Sequence, residues 1–244
     1  MKCIILAAGY ATRLYPLTEN FPKPLLDVGG STVLDRLTED VSPAVDEFVV
    51  VTNHKFVRHF SAWAETKAFP VRVIDDGTVS NETRLGAVKD LALGLKDSTD
   101  DVLVMAGDNV LDFSLKGFIA FFQEKKASCV MTHEENDPNR LRRTAVITFD
   151  RQRLITSFEE KPSVPRGHHA VPPFYCYTAA DVLRVHEALR SGCAADAPGS
   201  FAAWLAARVP VYAWEMPGKR YDIGDLNSYG HVRELFGTET VSGI

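Results

Sequence analysis

Leu6-Ala7-Ala8-Gly9-Tyr10-Ala11-Thr12-Arg13-Leu14 follows a short apolar run, residues 3–6, and the reading of this stretch decides the fold. A short apolar run bounded by small residues has the signature of a buried strand. Over Ala8-Gly9-Tyr10-Ala11 three of the four side chains nearly vanish, so an anion can approach the main-chain N–H groups closely. Arg13, and Lys23 within Pro22-Lys23-Pro24, add fixed positive charge just downstream. Strand, small-residue turn and basic loop together describe a phosphate site at the carboxyl end of a strand, where open α/β sheets bind ligands. The plainer alternative is a strand-to-loop turn with two solvated cations. The stretch is not a Walker A loop, because no Gly-Lys-Ser/Thr follows. It also lacks the second and third glycines of the dinucleotide fingerprint.

Leu6-Ala7-Ala8-Gly9-x-Ala11-Thr12-Arg13-Leu14-x-Pro16-Leu17-Thr18, continued by Pro22-Lys23-Pro24-Leu25, resembles the signature loop of the nucleotidyltransferases that make nucleoside-diphosphate sugars. The same superfamily includes phosphocholine cytidylyltransferases. The family usually has glycine where Ala11 stands. Ala11 is therefore expected at negative φ, since alanine is disfavoured at positive φ. The resemblance implies a nucleotide lying along Leu6, Ala8, Gly9, Tyr10, Ala11 and Thr12.

The 244 residues suffice for a substantial core and suit a single domain over 1–244. Its expected halves are nucleotide-binding, about 1–113, and acceptor-binding, about 114–244. A 45% hydrophobic and 24% charged composition is that of an ordinary soluble globule. The net charge of −5 argues against general nucleic-acid binding, which needs many cations to meet phosphates, so an anionic substrate must be held by local charge. Four cysteines (Cys3, Cys129, Cys176, Cys193) show no Cys-x-x-Cys spacing, and the first three lie in apolar runs as buried thiols do. No apolar run approaches the about 18 residues of a membrane span, and the chain enters a strand at once. No membrane partner and a cytoplasmic location are expected.

Downstream, strands are expected at residues 47–52, 71–74 and 101–105, with helices between them. One helix is capped by Ser31 and another by Asn53, and the latter carries a Phe56, Phe60, Trp63 stripe at core spacing. Such alternation indicates right-handed βαβ units and a mainly parallel sheet. The pattern then changes. Residues 128–133, 144–149 and 153–159 read as strands, the last two joined by a turn at Asp150-Arg151-Gln152, and 174–177 and 211–215 as later ones. Residues 162–173 read as a loop. The fold class is α/β, a Rossmann-like, mainly parallel mixed sheet flanked by helices; the resemblance makes it the nucleotide-diphospho-sugar transferase type.

Gly107-Asp108-Asn109 follows the fourth strand and puts a carboxylate on the same rim as the first loop. Mg²⁺ favours one or two carboxylates plus phosphate oxygens, though Gly-Asp-Asn also suits an ordinary turn. Asp222, in Tyr221-Asp222-Ile223-Gly224, is a second carboxylate of the same ambiguous kind. The resemblance implies that Asp108 and Asp222 flank one Mg²⁺; Asp225 competes for that role, but its place suits a helix N-cap. In Glu159-Glu160-Lys161-Pro162 the resemblance gives Glu160 the sugar hydroxyls and Lys161 the acceptor phosphate. In Asn81-Glu82-Thr83-Arg84-Leu85-Gly86 it gives Asn81, Thr83 and Gly86 to the base, with Arg84 also free to pair with a carboxylate. Thr144-Ala145 and Pro172-Pro173 depart from the family pattern at positions expected to line the acceptor pocket, where Tyr175 also falls.

The implied reaction joins an NTP and a phosphorylated acceptor, foremost a sugar 1-phosphate, into an NDP-sugar with release of pyrophosphate. Arg13, Lys23 and Asp108 are its catalytic candidates. The closest rival is a cytidylyltransferase for phosphocholine or a similar amino alcohol, for which Tyr175, Tyr177 and Trp214 would supply an ammonium cage. A glycosyltransferase of related fold would want an Asp-x-Asp after a central strand, and Asp108-Asn109-Val110 lacks the second aspartate. A non-catalytic nucleotide sensor would tend to lose the basic loop or the carboxylates, and a homo-oligomer is compatible with all of these.

Overall fold

The computed structural model describes residues 1–96 and 99–237; positions 238–244 of the expected single domain lie outside them. In chain order the strands are β1 (Lys2–Leu6), a small hairpin of β2 (Asp27–Val28) and β3 (Ser31–Thr32), β4 (Glu47–Thr52), β5 (Val71–Asp75), β6 (Val102–Ala106) and β7 (Asn109–Leu111). Next come β8 (Ser128–Glu134), β9 (Ala145–Phe149), β10 (Ile155–Glu160), β11 (His169–Val171), β12 (Phe174–Tyr177), β13 (Val211–Glu215) and β14 (Arg220–Asp222). The helices are α1 (Val33–Val41), α2 (Val57–Glu65), α3 (Ala87–Gly94), α4 (Lys116–Lys125), α5 (Pro138–Leu141), α6 (Ala179–Val182), α7 (Val185–Arg190), α8 (Gly199–Ala206) and α9 (Leu226–Gly237).

The first apolar run becomes the middle of the sheet, paired in parallel with β4 on one edge and β6 on the other. The full order is β10-β9-β11-β8-β12-β6-β1-β4-β5, with β13 also pairing β8. Parallel pairing holds from β5 to β6, and β12 then enters antiparallel between β6 and β8. The fold is thus the expected mixed α/β sheet, and its antiparallel part coincides with the stretch where helices no longer alternate with strands. Side-chain alternation divides the core into two layers. Ile5, Val50 and Leu103 pack with Phe56, Phe60 and Phe118 on one face, and Ile4, Val49 and Val104 with Val88, Leu91 and Phe201 on the other. Each such side chain contributes roughly 1.5–3 kcal/mol by leaving water.

Three local expectations are corrected. Thr32, not Ser31, caps α1: its Oγ1 accepts from Asp35 N–H at 3.0 Å while Asp35 returns a bond to Thr32 N–H, a reciprocal box that Ser31 is one residue too early to make. Asn53 makes no capping bond; its Nδ2 donates to the Ala8 carbonyl at 3.0 Å and ties β4 to the first loop. The segment 162–173 contains β11, whose short sequence bridges β8 and β9.

A separate two-stranded ladder matters most for function. β14 runs antiparallel to β7, with Asp222 opposite Asn109 and Arg220 opposite Leu111. Among the described residues no helix is long and apolar enough to cross a membrane.

Candidate active site

The first loop leaves β1 past Leu6 and turns at residues 8–11. Ala8 is buried and its carbonyl is held by Asn53, while Gly9 is exposed and a Cβ there would meet nothing within 4 Å. Tyr10 is buried, and its phenol lies 3.3 Å from Thr78 Oγ1; burial pushes its pKa up. Tyr10 thus anchors the loop through its side chain. Ala11 has φ +47° and ψ +41°, so the expectation of negative φ is overturned. Two bonds to its carbonyl, from Thr18 Oγ1 at 2.8 Å and Leu14 N–H at 2.9 Å, hold this left-handed turn against the usual penalty for a Cβ. Thr12 and Arg13 are exposed just beyond it.

Lys23, buried in a short 3₁₀ turn, donates from Nζ to Asp108 Oδ2 at 2.8 Å. Asp108 Oδ1 accepts from Asn109 Nδ2 at 2.7 Å, and Asn109 Oδ1 accepts from Arg220 Nη1 at 2.6 Å. Asn109 is fully buried, and its two bonds fix which way its amide faces. Asp222 reaches solvent at the cleft while protein crowds it from behind. Burial and the neighbouring charge of Asp108 raise its pKa, and Lys23, Arg220 and Arg13 oppose the rise. Arg13 also lies near Gly224, in the turn just after Asp222. Four charged groups remote in sequence, Arg13, Lys23, Asp108 and Asp222, therefore meet at one place. Asp225 accepts from Ser228 N–H at 2.8 Å at the start of α9 and serves as the cap.

Two facing carboxylates that repel each other, with no third acid or histidine completing a cluster among the described residues, suit a divalent ion that takes its other ligands from phosphate and water. This donor set fits Mg²⁺.

A cavity of about 1160 Å³ opens beside this centre. Asp108, Asp222, Glu160, Lys161, Tyr175 and Arg220 all line it. Glu160 is partly buried, and burial raises its pKa against the lowering charge of Lys161. Lys161 itself sits at φ +47° at the end of β10. Gly199 makes room here, since a Cβ would come within 2.1 Å of Glu160 Oε2. Thr144, Ala145, Pro172 and Pro173 line the same cavity, as expected of the departures from the family pattern. Of the three aromatics named for an ammonium cage, Tyr175 and Tyr177 stack with ring centroids 5.8 Å apart, but of the three Tyr175 alone lines the cavity. Tyr177 is buried against Phe201, and Trp214 packs on Phe113 and Phe118 on the other face of the sheet.

The segment at residues 81–86 differs from expectation in one respect. Asn81 and Thr83 lie in a 3₁₀ turn whose Glu82 stands close enough to Tyr10 of the first loop for its charge to be felt there. Gly86 has φ +94°, but the close approach it permits is taken by the protein itself: a Cβ would meet Ala195 O at 2.6 Å. The first amides of α3 are likewise spent, Val88 N–H on Ala195 O at 2.9 Å and Ala87 N–H on Asp196 O at 3.3 Å. Neither Gly86 Cα nor that helix start is open to a base or an anion. Arg84 pairs with Asp196 at 3.0 Å, the alternative left open for it.

Sequence reasoning missed Asn109 and Arg220. Asn109 reads in sequence only as part of a Gly-Asp-Asn turn. Arg220 had an available signal, because it lies two residues before Asp222 and so shares its face of a strand.

A family model described as Nucleotidyl transferase matches residues 2–237. The UTP–glucose-1-phosphate uridylyltransferase AglF of Haloferax volcanii is 28% identical over 185 residues, 74% of this chain and 73% of the relative. The bifunctional protein GlmU of Methanococcus aeolicus is 28% identical over 171 residues, 69% of this chain; the match spans only 38% of the relative's length. The solved structure of an apo UDP-glucose pyrophosphorylase superposes with a TM-score of 0.83 over 97% of this chain and 98% of its own, at 18% identity, which is a likeness of fold.

Proposed function

The chain belongs to the nucleotidyl transferase family, and from that premise we propose that it transfers a nucleotidyl group from an NTP to a phosphorylated acceptor, foremost a sugar 1-phosphate. The products are an NDP-sugar and pyrophosphate. The observation that carries the reading is the Lys23–Asp108 contact of 2.8 Å at the edge of a large cavity that Asp222 also lines. A fixed ammonium beside paired carboxylates is an arrangement for gathering phosphate oxygens, because phosphoryl chemistry is catalysed mainly by positioning and charge neutralisation.

The acceptor phosphate, with a second pKa near 6, is already largely dianionic near neutral pH and needs no general base. The backbone from the exposed Gly9 to Ala11 and Arg13 hold the triphosphate, with Asn81 and Thr83 toward the base. Lys23 sits between the attacking oxygen and the α-phosphate. Lys161 holds the acceptor phosphate and Glu160 its hydroxyls. Asp108 and Asp222 would hold Mg²⁺, which when bound supplies positive charge to the reacting phosphate oxygens. In this reading the nucleotide occupies the half at about 1–113 and the acceptor the half at about 114–244.

The test is pyrophosphate release from pure protein given each NTP, Mg²⁺ and a panel of sugar 1-phosphates and amino-alcohol phosphates. Turnover with a sugar 1-phosphate supports the reading. Turnover with phosphocholine alone would establish the rival instead, which the placement of Trp214 across the sheet from Tyr175 and Tyr177 disfavours. Nucleotide binding without any turnover would leave a sensor.

A further inference from the structure

Arg220 and His133 are the cavity-wall residues, among those described, that carry a buried polar atom without a partner, and of the two Arg220 has the fixed charge. Its Nη1 donates to Asn109, its Nε is buried without a partner, and it makes no ion pair among the described residues. A partly buried guanidinium with no carboxylate is costly unless an anion completes it. Nε is closed off from the cavity, so Nη2 is the donor left to meet an anion there through a charge-assisted hydrogen bond.

Its position says which anion. Arg220 and Asp222 are two apart on β14, so both look to the same side of the strand. Arg220 is also joined to Asp108 through one side chain: 2.6 Å to Asn109 Oδ1, then 2.7 Å from Asn109 Nδ2 to Asp108 Oδ1. A single phosphate is large enough to lie between the carboxylate pair and the guanidinium. We propose that Arg220 binds the non-reacting oxygens of the acceptor's phosphate, and that it makes the site selective for acceptors whose remainder is neutral or anionic. Asn109 is the positioning residue that couples this contact to Asp108. The inference rests on the proposed nucleotidyl transfer and deepens it.

The electrostatics of the cavity agree. The positive field of Arg220 reaches His133 and Tyr175 as well as Asp222. Around His133 stand Arg220, Arg140, His169 and one opposing carboxylate, Glu135. Tyr175 and Tyr221 are the tyrosines of this cavity wall, and a quaternary ammonium held beside Arg220 would face its guanidinium.

The test compares wild type, Arg220→Gln and Arg220→Lys in two assays. In turnover with glucose 1-phosphate, or whichever sugar 1-phosphate the wild type uses, Arg220→Gln should raise the acceptor KM at least tenfold and leave the NTP KM within twofold. Arg220→Lys should recover part of that loss. An acceptor KM unchanged within twofold, or equal losses in both KM values, overturns the inference while the proposed function stands. In calorimetric titration with inorganic phosphate, wild type should bind at least tenfold more tightly than Arg220→Gln, and phosphocholine should bind more weakly than glucose 1-phosphate. Equal phosphate affinity, or tighter binding of phosphocholine, also overturns it. Because the titration needs no turnover, it decides the matter even if the wild type releases no pyrophosphate and the parent reading fails.

Discussion

Asp222 stands directly opposite Asn109 in the antiparallel ladder of β14 and β7, and the Ile223 N–H donates to the Asp108 carbonyl at 3.3 Å. This register, far from the main sheet's own pairing, brings two late residues to the loop after β6. One side of the ladder then offers Asp108 to Lys23, and the other sets Arg220 against Asn109. The cleft is therefore a product of a six-residue ladder laid across the rim of a sheet.

Replacing Lys23 by Ala, or Asp108 by Asn, should lower kcat by about 10²–10³, the 3–4 kcal/mol usual for one contact to developing charge. Both side chains sit at the rim and not in either apolar layer, so circular dichroism should stay close to wild type, while loss of the Lys23–Asp108 bond should lower stability by roughly 1–3 kcal/mol. Turnover like wild type in either purified variant would remove that residue from the mechanism.

The sequence made the sheet legible because its strands are short apolar runs of fixed length; β4, β12 and β13 fall within the expected boundaries. Lys23, Asp108 and Asp222 were legible because their neighbours form recognisable segments. The partnerships among them were not. Asn109 bonding both Asp108 and Arg220 depends on a ladder of three residues per strand, too short to show a period. Gly86 looked like an approach for ligand because glycine reports only that something comes close, and here it is the chain at Ala195. Ala11 was misread in its backbone because a propensity argument does not see the two bonds to its carbonyl.

Asn109 itself should be unusually sensitive. It is fully buried, and Asn109→Ala strips one partner from Asp108 and, among the described residues, the only side-chain acceptor from Arg220. Leaving such groups unpaired costs roughly 1–3 kcal/mol each. The variant should melt lower and lose turnover together, and a melting temperature unchanged within error would show that the amide is dispensable.

Ala11→Gly should be tolerated. An L residue in the left-handed region costs about 1–2 kcal/mol, while glycine loses roughly 0.5–1 kcal/mol through the unfolded chain. The expected net effect is zero to about 1.5 kcal/mol of stabilisation, with the NTP KM unchanged. Ala11→Val, β-branched at φ +47°, should destabilise instead. Paired thermal melts of the two variants check the sign.

Asp90 gives a pH signature. It is buried in the first turn of α3, its Oδ1 lacks a partner, and burial with the nearby charge of Asp76 pushes its pKa up to about 7. The folded state thus holds this proton more tightly than the unfolded chain, which releases it near 3.9. Stability falls as pH rises from about 4 to about 7, and the loss is complete above that. Asp90→Asn should therefore stabilise the protein at pH 8, by at most roughly 4 kcal/mol, and have little effect at pH 4. A variant that shifts the melting temperature equally at both values would contradict the assignment.

The contact between residues 84–88 and 195–196 separates two kinds of interaction by size. The Arg84–Asp196 pair is exposed, with both side chains about half open to water or more, and such pairs contribute about 0–1 kcal/mol. Gly86 is different: a Cβ would overlap the Ala195 carbonyl at 2.6 Å, and its φ of +94° is hostile to any L residue. Arg84→Ala should accordingly move the melting temperature little, whereas Gly86→Ala should cost on the order of 1–3 kcal/mol from backbone strain alone. Because the same chain continues to Gly199 beneath Glu160, displacing it should also raise the acceptor KM in Gly86→Ala and not in Arg84→Ala. Melting curves and acceptor saturation measured on both variants decide it; equal effects of the two substitutions would mean that the ion pair, and not the backbone contact, holds this segment in place.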